Sequence, residues 1–431
     1  MLSALLALLL VSSLEVHAST AAAAAAAAPV IGVLTVPTFK QCPQEPAATG
    51  SDLGSLAEDY DCYVPLSYVK MVQAAGAQVV LLPCRVNDRF RALLASVNGF
   101  LISGMYSDYQ CRNSPRTEPS TLTPYGEAGR AVIEHVLARS DVPLFAECKG
   151  FNMLMFVVSG AGRWTDILRD DIDSTNQAAP IVFNRGKDFS KESTAVYQAA
   201  ADLNAARLLT EGKHLMNRHP YGILPDNYTR IGGRLAEIFG EYVATTFDKQ
   251  GVEYVSVVES KDGNVVGAAT HPEKVLFQFT PGLETPHDVD SVKLNYLWGR
   301  WLVEKARRNS RSFDQDPSLK ASSLTYNQTT HRTCDATRLV GGNFMQFIFT
   351  EKKKGGGSSG GGSSSTGSSP SPPGRGSVTL EGMKAGVVVG IAVGSVVVVA
   401  LSGGMILWWR RGRRIAARER GGRGDVYHLE I

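Results

Sequence analysis

The 431-residue sequence lacks a strong charge imbalance: 44 Lys and Arg stand against 41 Asp and Glu, a formal net charge of +3. Between Arg410 and Ile431 seven arginines face only Glu419, Asp425 and Glu430, a local +4 that leaves the rest near −1. A nucleic-acid footprint needs a basic face on a folded domain, so that function class is excluded. Any cluster of His, Cys, Asp and Glu at metal-ligand spacing is also missing, so no metal is expected, and no cofactor either. The first apolar run carries no Lys or Arg before it.

Both ends have characters of their own. Residues 2–11 are apolar, Ser12 and Ser13 follow, and Val16-His17-Ala18 is an A-x-A-like cleavage pattern. That order reads as a secretory signal over 1–18, followed by an Ala-rich stretch over 19–28. Residues 385–409 are 25 positions without a charge, enough for a helix to cross ~30 Å of hydrocarbon. Trp408 and Trp409 fall at an interfacial position, and Arg410, Arg411, Arg413 and Arg414 come next. Basic residues stay on the cytoplasmic side, so 410–431 reads as a cytosolic tail against anionic headgroups. The expectation is a single-pass type I membrane protein of the secretory pathway, its folded part lumenal or extracellular. Residues 351–384, rich in Gly, Ser and Pro, read as a stalk. Residues 314–350 show no clear period and stay unassigned. Asn227-Tyr228-Thr229 and Asn327-Gln328-Thr329 are glycosylation acceptors on the expected lumenal side.

Residues 29–313 carry the globular pattern. Apolar runs at 30–36, 78–83, 99–103 and 142–146 read as strands buried on both faces. Helical spacing over 63–75, 89–96, 125–140 and 151–158 alternates with them. Residues 254–259 and 265–270, joined by Asp262-Gly263, read as a β-hairpin, and 288–308 as a long helix. The fold class is α/β, a doubly wound, mostly parallel sheet flanked by helices, with one C-terminal transmembrane helix. Ligands on such sheets bind beyond the carboxyl ends of the strands.

Two of those ends carry chemistry. Pro143-Leu144-Phe145-Ala146 ends at Glu147-Cys148, and Lys149-Gly150-Phe151 opens an apolar helix. This is the strand-to-helix layout of a nucleophile elbow. The helix N-terminus favours thiolate at Cys148, and nearby N–H groups can receive an oxyanion. A buried structural cysteine is the competing reading. His271, in Thr270-His271-Pro272-Glu273-Lys274, ends a strand. It is the candidate base, with Glu273 as its orienter; a capped surface His-Pro turn is the alternative.

These two motifs together resemble the gamma-glutamyl hydrolases, within the class I glutamine amidotransferase-like fold. The likeness extends to Ile31-Gly32-Val33-Leu34, to Ser67-Tyr68-Val69-Lys70 and the Ala77 region, to Asn98-Gly99-Phe100-Leu101, to Arg218-His219-Pro220-Tyr221-Gly222-Ile223, and to residues 292–308. It implies hydrolysis of gamma-glutamyl amide bonds, usually in folylpoly-gamma-glutamates, through a thioester on Cys148. It also implies an oxyanion held by the N–H of Lys149 and by the loop of Gly104 and Met105, and a glutamate pocket shaped by His219. A vacuolar or lysosomal lumen or the cell surface is the expected location, and a homodimer is one option for its assembly.

The chain departs from the family where Met105 replaces a second glycine, and where Glu147 and Lys149 flank the Cys. The carboxylate raises the thiol pKa and the ammonium lowers it. Two further readings therefore stand beside the first: a catalytically degenerate, membrane-anchored surface protein, and an amidotransferase-type glutaminase. Five cysteines besides Cys148 remain; Cys42 and Cys62, bracketing an insertion-like loop, are the expected disulfide.

Overall fold

The computed structural model describes residues 28–38, 60–105, 107–111, 121–184, 194–280, 282–311, 330–332 and 346–352. The expected signal, nearly all of the stalk, the span over 385–409, the tail, Cys42 and Asn327 lie outside them. Among the described residues no helix is long and apolar enough to cross a membrane.

In chain order the strands are β1 (Val30–Leu34), β2 (Val36–Pro37), β3 (Tyr60–Pro65), β4 (Gln78–Leu82), β5 (Gly99–Ile102), β6 (Leu144–Glu147) and β7 (Ser174–Ala179). There follow β8 (Val182–Phe183), β9 (Leu215–His219), β10 (Ala244–Phe247), β11 (Glu253–Glu259), β12 (Val265–Ala268), β13 (Thr330–Arg332) and β14 (Gln346–Lys352). Eight form one sheet in the order β4-β1-β5-β6-β12-β11-β10-β8. The first five run parallel. The last three pair antiparallel, which includes the β11–β12 hairpin read at Asp262-Gly263.

The parallel strands are largely apolar because both faces are covered. Side chains alternate across the sheet. Ile31, Val33, Leu101, Phe145 and Val266 pack with the helices Leu66–Ala74 and Val289–Ala306. Val30, Leu34, Phe100, Ile102 and Leu144 pack on the other face, with the helices Pro124–Leu137 and Lys149–Ser159. Phe145 stacks on Trp298 with ring centroids 5.4 Å apart. Side-chain caps fix where the helices start: Thr123 accepts from the Gly126 N–H, Asn87 from Phe90 and Asp288 from Ser291.

Three expectations change. The helix read over 63–75 begins at Leu66, because residues 60–65 form β3. That strand belongs to a four-stranded sheet, β13-β14-β3-β2. β14 pairs with β3 as far as Lys352↔Tyr60, so part of the unassigned 314–350 is strand, and Glu351 and Lys352 belong to it instead of the stalk. Cys62 is bonded to Cys84 and not to Cys42: β3 brings it beside the end of β4, with a Cα–Cα distance of 5.8 Å, inside the range a disulfide spans.

Candidate active site

β5, β6 and β12 are neighbours in the sheet and parallel. Ile102 is level with Ala146, and Glu147 with Ala268. Their carboxyl ends therefore open at one edge, which puts Gly104, Cys148 and His271 together although the chain separates them widely.

Cys148 joins β6 to the helix Lys149–Ser159 at φ 47° and ψ −105°. Among the described residues only Asn204 shares a positive φ without being glycine. Such a backbone costs on the order of 1–3 kcal/mol and persists where its surroundings impose it. Here the Cys148 N–H donates to the Ala268 carbonyl at 2.7 Å. A Cβ on Gly150 would lie 2.4 Å from the Ile102 carbonyl oxygen, so only glycine lets the helix start this close to β5.

His271 is fixed by its own N–H, which donates to the Met216 carbonyl at 2.7 Å, and by Pro272, which starts a helix over Pro272–Phe277. Its Nδ1 hydrogen-bonds Glu273 Oε1 at 3.1 Å, which assigns the proton to Nδ1 and leaves Nε2 as acceptor. Lys274 Nζ lies 3.0 Å from the same Glu273 oxygen. A Cβ on Gly104 would lie 2.8 Å from both Cys148 Cβ and His271 Cε1. Thiol and imidazole thus bracket one point, and a side chain at 104 would occupy it.

Burial sets the ionisation. The Cys148 thiol is pushed up to about 12, by burial first and then by Glu147, while Lys274 and Lys149 pull the other way. The thiolate expected at the helix N-terminus is therefore not the resting state. Burial also lowers the His271 pKa, against the upward pull of Glu273 and with Lys274 adding to the lowering. Burial drives the Glu273 carboxyl up, but Lys274 and His271 outweigh it and hold the group well below its ordinary range. The pair at rest is thus a neutral thiol beside a neutral imidazole oriented by a carboxylate.

The remaining expected residues take definite places. Met105 packs its side chain against both hydrophobic clusters and keeps an ordinary backbone, so it does not need the left-handed region. Lys149 Nζ lies 4.8 Å from the Tyr221 ring centroid, 5.0 Å from that of Tyr109, and 3.8 Å from Asp108 Oδ1. Its charge is directed to that cage more than to the sulfur. Asn227 is half-buried on the helix Pro225–Ile231. Sequence reasoning passes over Tyr68, whose hydroxyl accepts from the Gly104 N–H at 3.1 Å, and over the reach of Glu147 to His271. A lone acid closing an apolar strand was the available signal. Glu147, His271 and Glu273 present donor atoms within 4.8 Å of one another, a spacing a cation could bridge, but the Lys274 ammonium already supplies positive charge there.

His219, 4% exposed at the end of β9, meets the Tyr254 ring edge-on at 5.2 Å. Burial first, and then the neighbouring His271, lower its pKa to about 4. The unfolded chain binds this proton near 6.5, so between about 6.5 and 4 the unfolded state holds more protons and stability falls as pH falls. His219→Gln removes that contribution: in acid-unfolding titrations its midpoint is expected at lower pH than that of the parent protein.

The model of the peptidase C26 family matches residues 48–273. Gamma-glutamyl hydrolase B of Dictyostelium discoideum is 26% identical over 303 residues, covering 70% of this chain and 79% of that protein. Probable gamma-glutamyl hydrolase 3 of Arabidopsis thaliana is 27% identical, covering 62% of this chain and 69% of that one. The human gamma-glutamyl hydrolase is 24% identical, covering 61% and 77%. Among solved structures, PurLQS from Thermotoga maritima aligns with 64% of this chain and 98% of its own at 12% identity and a TM-score of 0.33, too low to build on. With the family model spanning more than half the chain, and the elbow and its histidine at one sheet edge, this chain belongs to the gamma-glutamyl hydrolase family, peptidase C26.

Proposed function

We propose that the protein is a cysteine hydrolase of gamma-glutamyl amide bonds, with folylpoly-gamma-glutamates as its substrate class. The observation that carries this is the strained Cys148 elbow sharing a sheet edge with the Glu273-oriented His271. As the Cys148 sulfur attacks the side-chain carbonyl carbon, its proton passes to His271 Nε2. The N–H groups of Lys149 and Met105 are the proposed oxyanion donors, since that of Gly104 is engaged by Tyr68. The imidazolium, stabilised by Glu273, then protonates the leaving amine, and the C–N bond breaks to leave a thioester on Cys148. His271 next takes a proton from water. The hydroxide adds to the thioester carbonyl, the C–S bond breaks, and the sulfur regains a proton. His219, buried beside His271, is the proposed contact for a polar group of the substrate.

The full-length protein is expected to release glutamate from gamma-linked diglutamate and not from the alpha-linked isomer or from glutamine. Turnover of glutamine instead would favour a glutaminase. Turnover of none of them, at any pH from acid to neutral, would leave a degenerate surface protein of the same fold.

The proposed setting of this chemistry is the secretory pathway, in a vacuolar or lysosomal lumen or at the cell surface, with residues 385–409 as the proposed anchor. The Cys62–Cys84 disulfide and a further disulfide at Cys111 support an oxidising compartment.

A further inference from the structure

Glu147 ends β6 one residue before the proposed nucleophile, and none of its surface is exposed. Its Oε1 lies 3.1 Å from His271 Nδ1, the distance at which Glu273 Oε1 also lies. Only the Glu273 contact has hydrogen-bond angles. Neither oxygen of Glu147 makes a well-angled hydrogen bond among the described residues, and the side chains that reach it, Glu273 and Tyr68, bring no positive charge. An ionised carboxylate in that state is among the costliest groups a protein can bury.

The groups around it narrow the alternatives. Tyr68 faces Glu147 from the helix Leu66–Ala74, Cys148 follows it in the chain, and His271, Glu273 and Lys274 come from the neighbouring strand end. Of these only Lys274 brings a permanent positive charge, and it sits 3.0 Å from Glu273. One ammonium cannot neutralise two buried carboxylates, so the carboxyls hold one proton between them. The proton belongs on the carboxyl without the ammonium. Burial first, and then repulsion from Glu273, push the Glu147 pKa well above its ordinary value.

We infer that Glu147 is a positioning residue that acts through the Cys148 sulfur: packed against His271 as a neutral carboxylic acid, it withholds negative charge from that sulfur until its own proton is lost. The inference rests on Cys148 as nucleophile and His271 as base. When base removes the Glu147 proton to solvent, a carboxylate remains beside the sulfur and opposes thiolate formation. The residue thereby sets an upper pH limit for the reaction, a second control built into the strand that carries the nucleophile.

The test compares the full-length protein with Glu147→Gln, whose neutral amide mimics the acid form. Alkylation of Cys148 by iodoacetamide, located by peptide mass, is followed against pH and needs no substrate. The ionisation profile of Cys148 in Glu147→Gln is expected about one pH unit or more below the parent's; superimposed profiles would overturn the inference. Hydrolysis of gamma-linked diglutamate by the variant is expected within about threefold of the parent near neutral pH, and to persist further into the alkaline range. A folded variant that loses more than about a hundredfold, while the parent is active, would show that Glu147 acts as a carboxylate and would also overturn it. A shifted alkylation profile with no hydrolysis by either protein would sink the functional reading alone. Should Glu147→Gln fail to fold, infrared spectra of the parent protein labelled with carbon-13 glutamate decide. The band of a protonated carboxylic acid is expected to persist at neutral pH, and its absence contradicts the inference.

Discussion

Cys148→Ala is expected to lower kcat/KM for gamma-linked diglutamate by at least about 10⁴-fold, with the fold intact. The reaction proposed above runs through a bond to one sulfur, and no other thiol among the described residues is free. Alanine meets the same backbone demand at φ 47° that cysteine does, so the substitution removes chemistry without adding strain. Rapid quench of the parent protein should trap a covalent glutamyl adduct on the peptide containing Cys148, and the variant should show none. Residual turnover within tenfold of the parent would mean that the nucleophile lies elsewhere.

His271→Gln follows closely in size, with an expected loss in kcat of about 10³–10⁴ and little change in KM. With burial holding the thiol well above its ordinary value, little of it is thiolate at neutral pH. Attack therefore depends on a base that takes the proton as the bond forms. Without it, the rate should climb with pH as the thiolate fraction grows, a profile the parent protein should not share. A variant whose activity stays flat from pH 6 to 9 would show that His271 is not that base.

Much of this was legible in the residues. Period-two burial on both faces accounts for the continuous apolar strands, and Gly150 after Cys148 marks the tight approach of helix and strand. The third member of the site could be placed because Glu273 is only two positions from His271. β3 could not, because residues 60–65 become strand by pairing with β2 on one side and with residues 346–352 on the other, and no local pattern announces partners so distant. The Cys62–Cys84 bond was hidden for the same reason. Glu147 shows a related limit. Its place beside Cys148 is evident, but its approach to His271 exists only because β12 lies next to β6. The direction of the thiol shift also depends on burial, which a helix N-terminus seen in sequence does not report.

The bend at Cys148 has a cost that bears on how such a chain can change. Its conformation holds on the order of 1–3 kcal/mol of strain, which a glycine at that position would relieve for about 0.5–1 kcal/mol of backbone entropy. A sturdier molecule is thus a single substitution away, and with Cys148 as the proposed nucleophile it would be inert. Under the proposed mechanism, selection for durability alone would favour losing the sulfur, and a cysteine at this strained point of the backbone is what a demand for reactivity would hold in place.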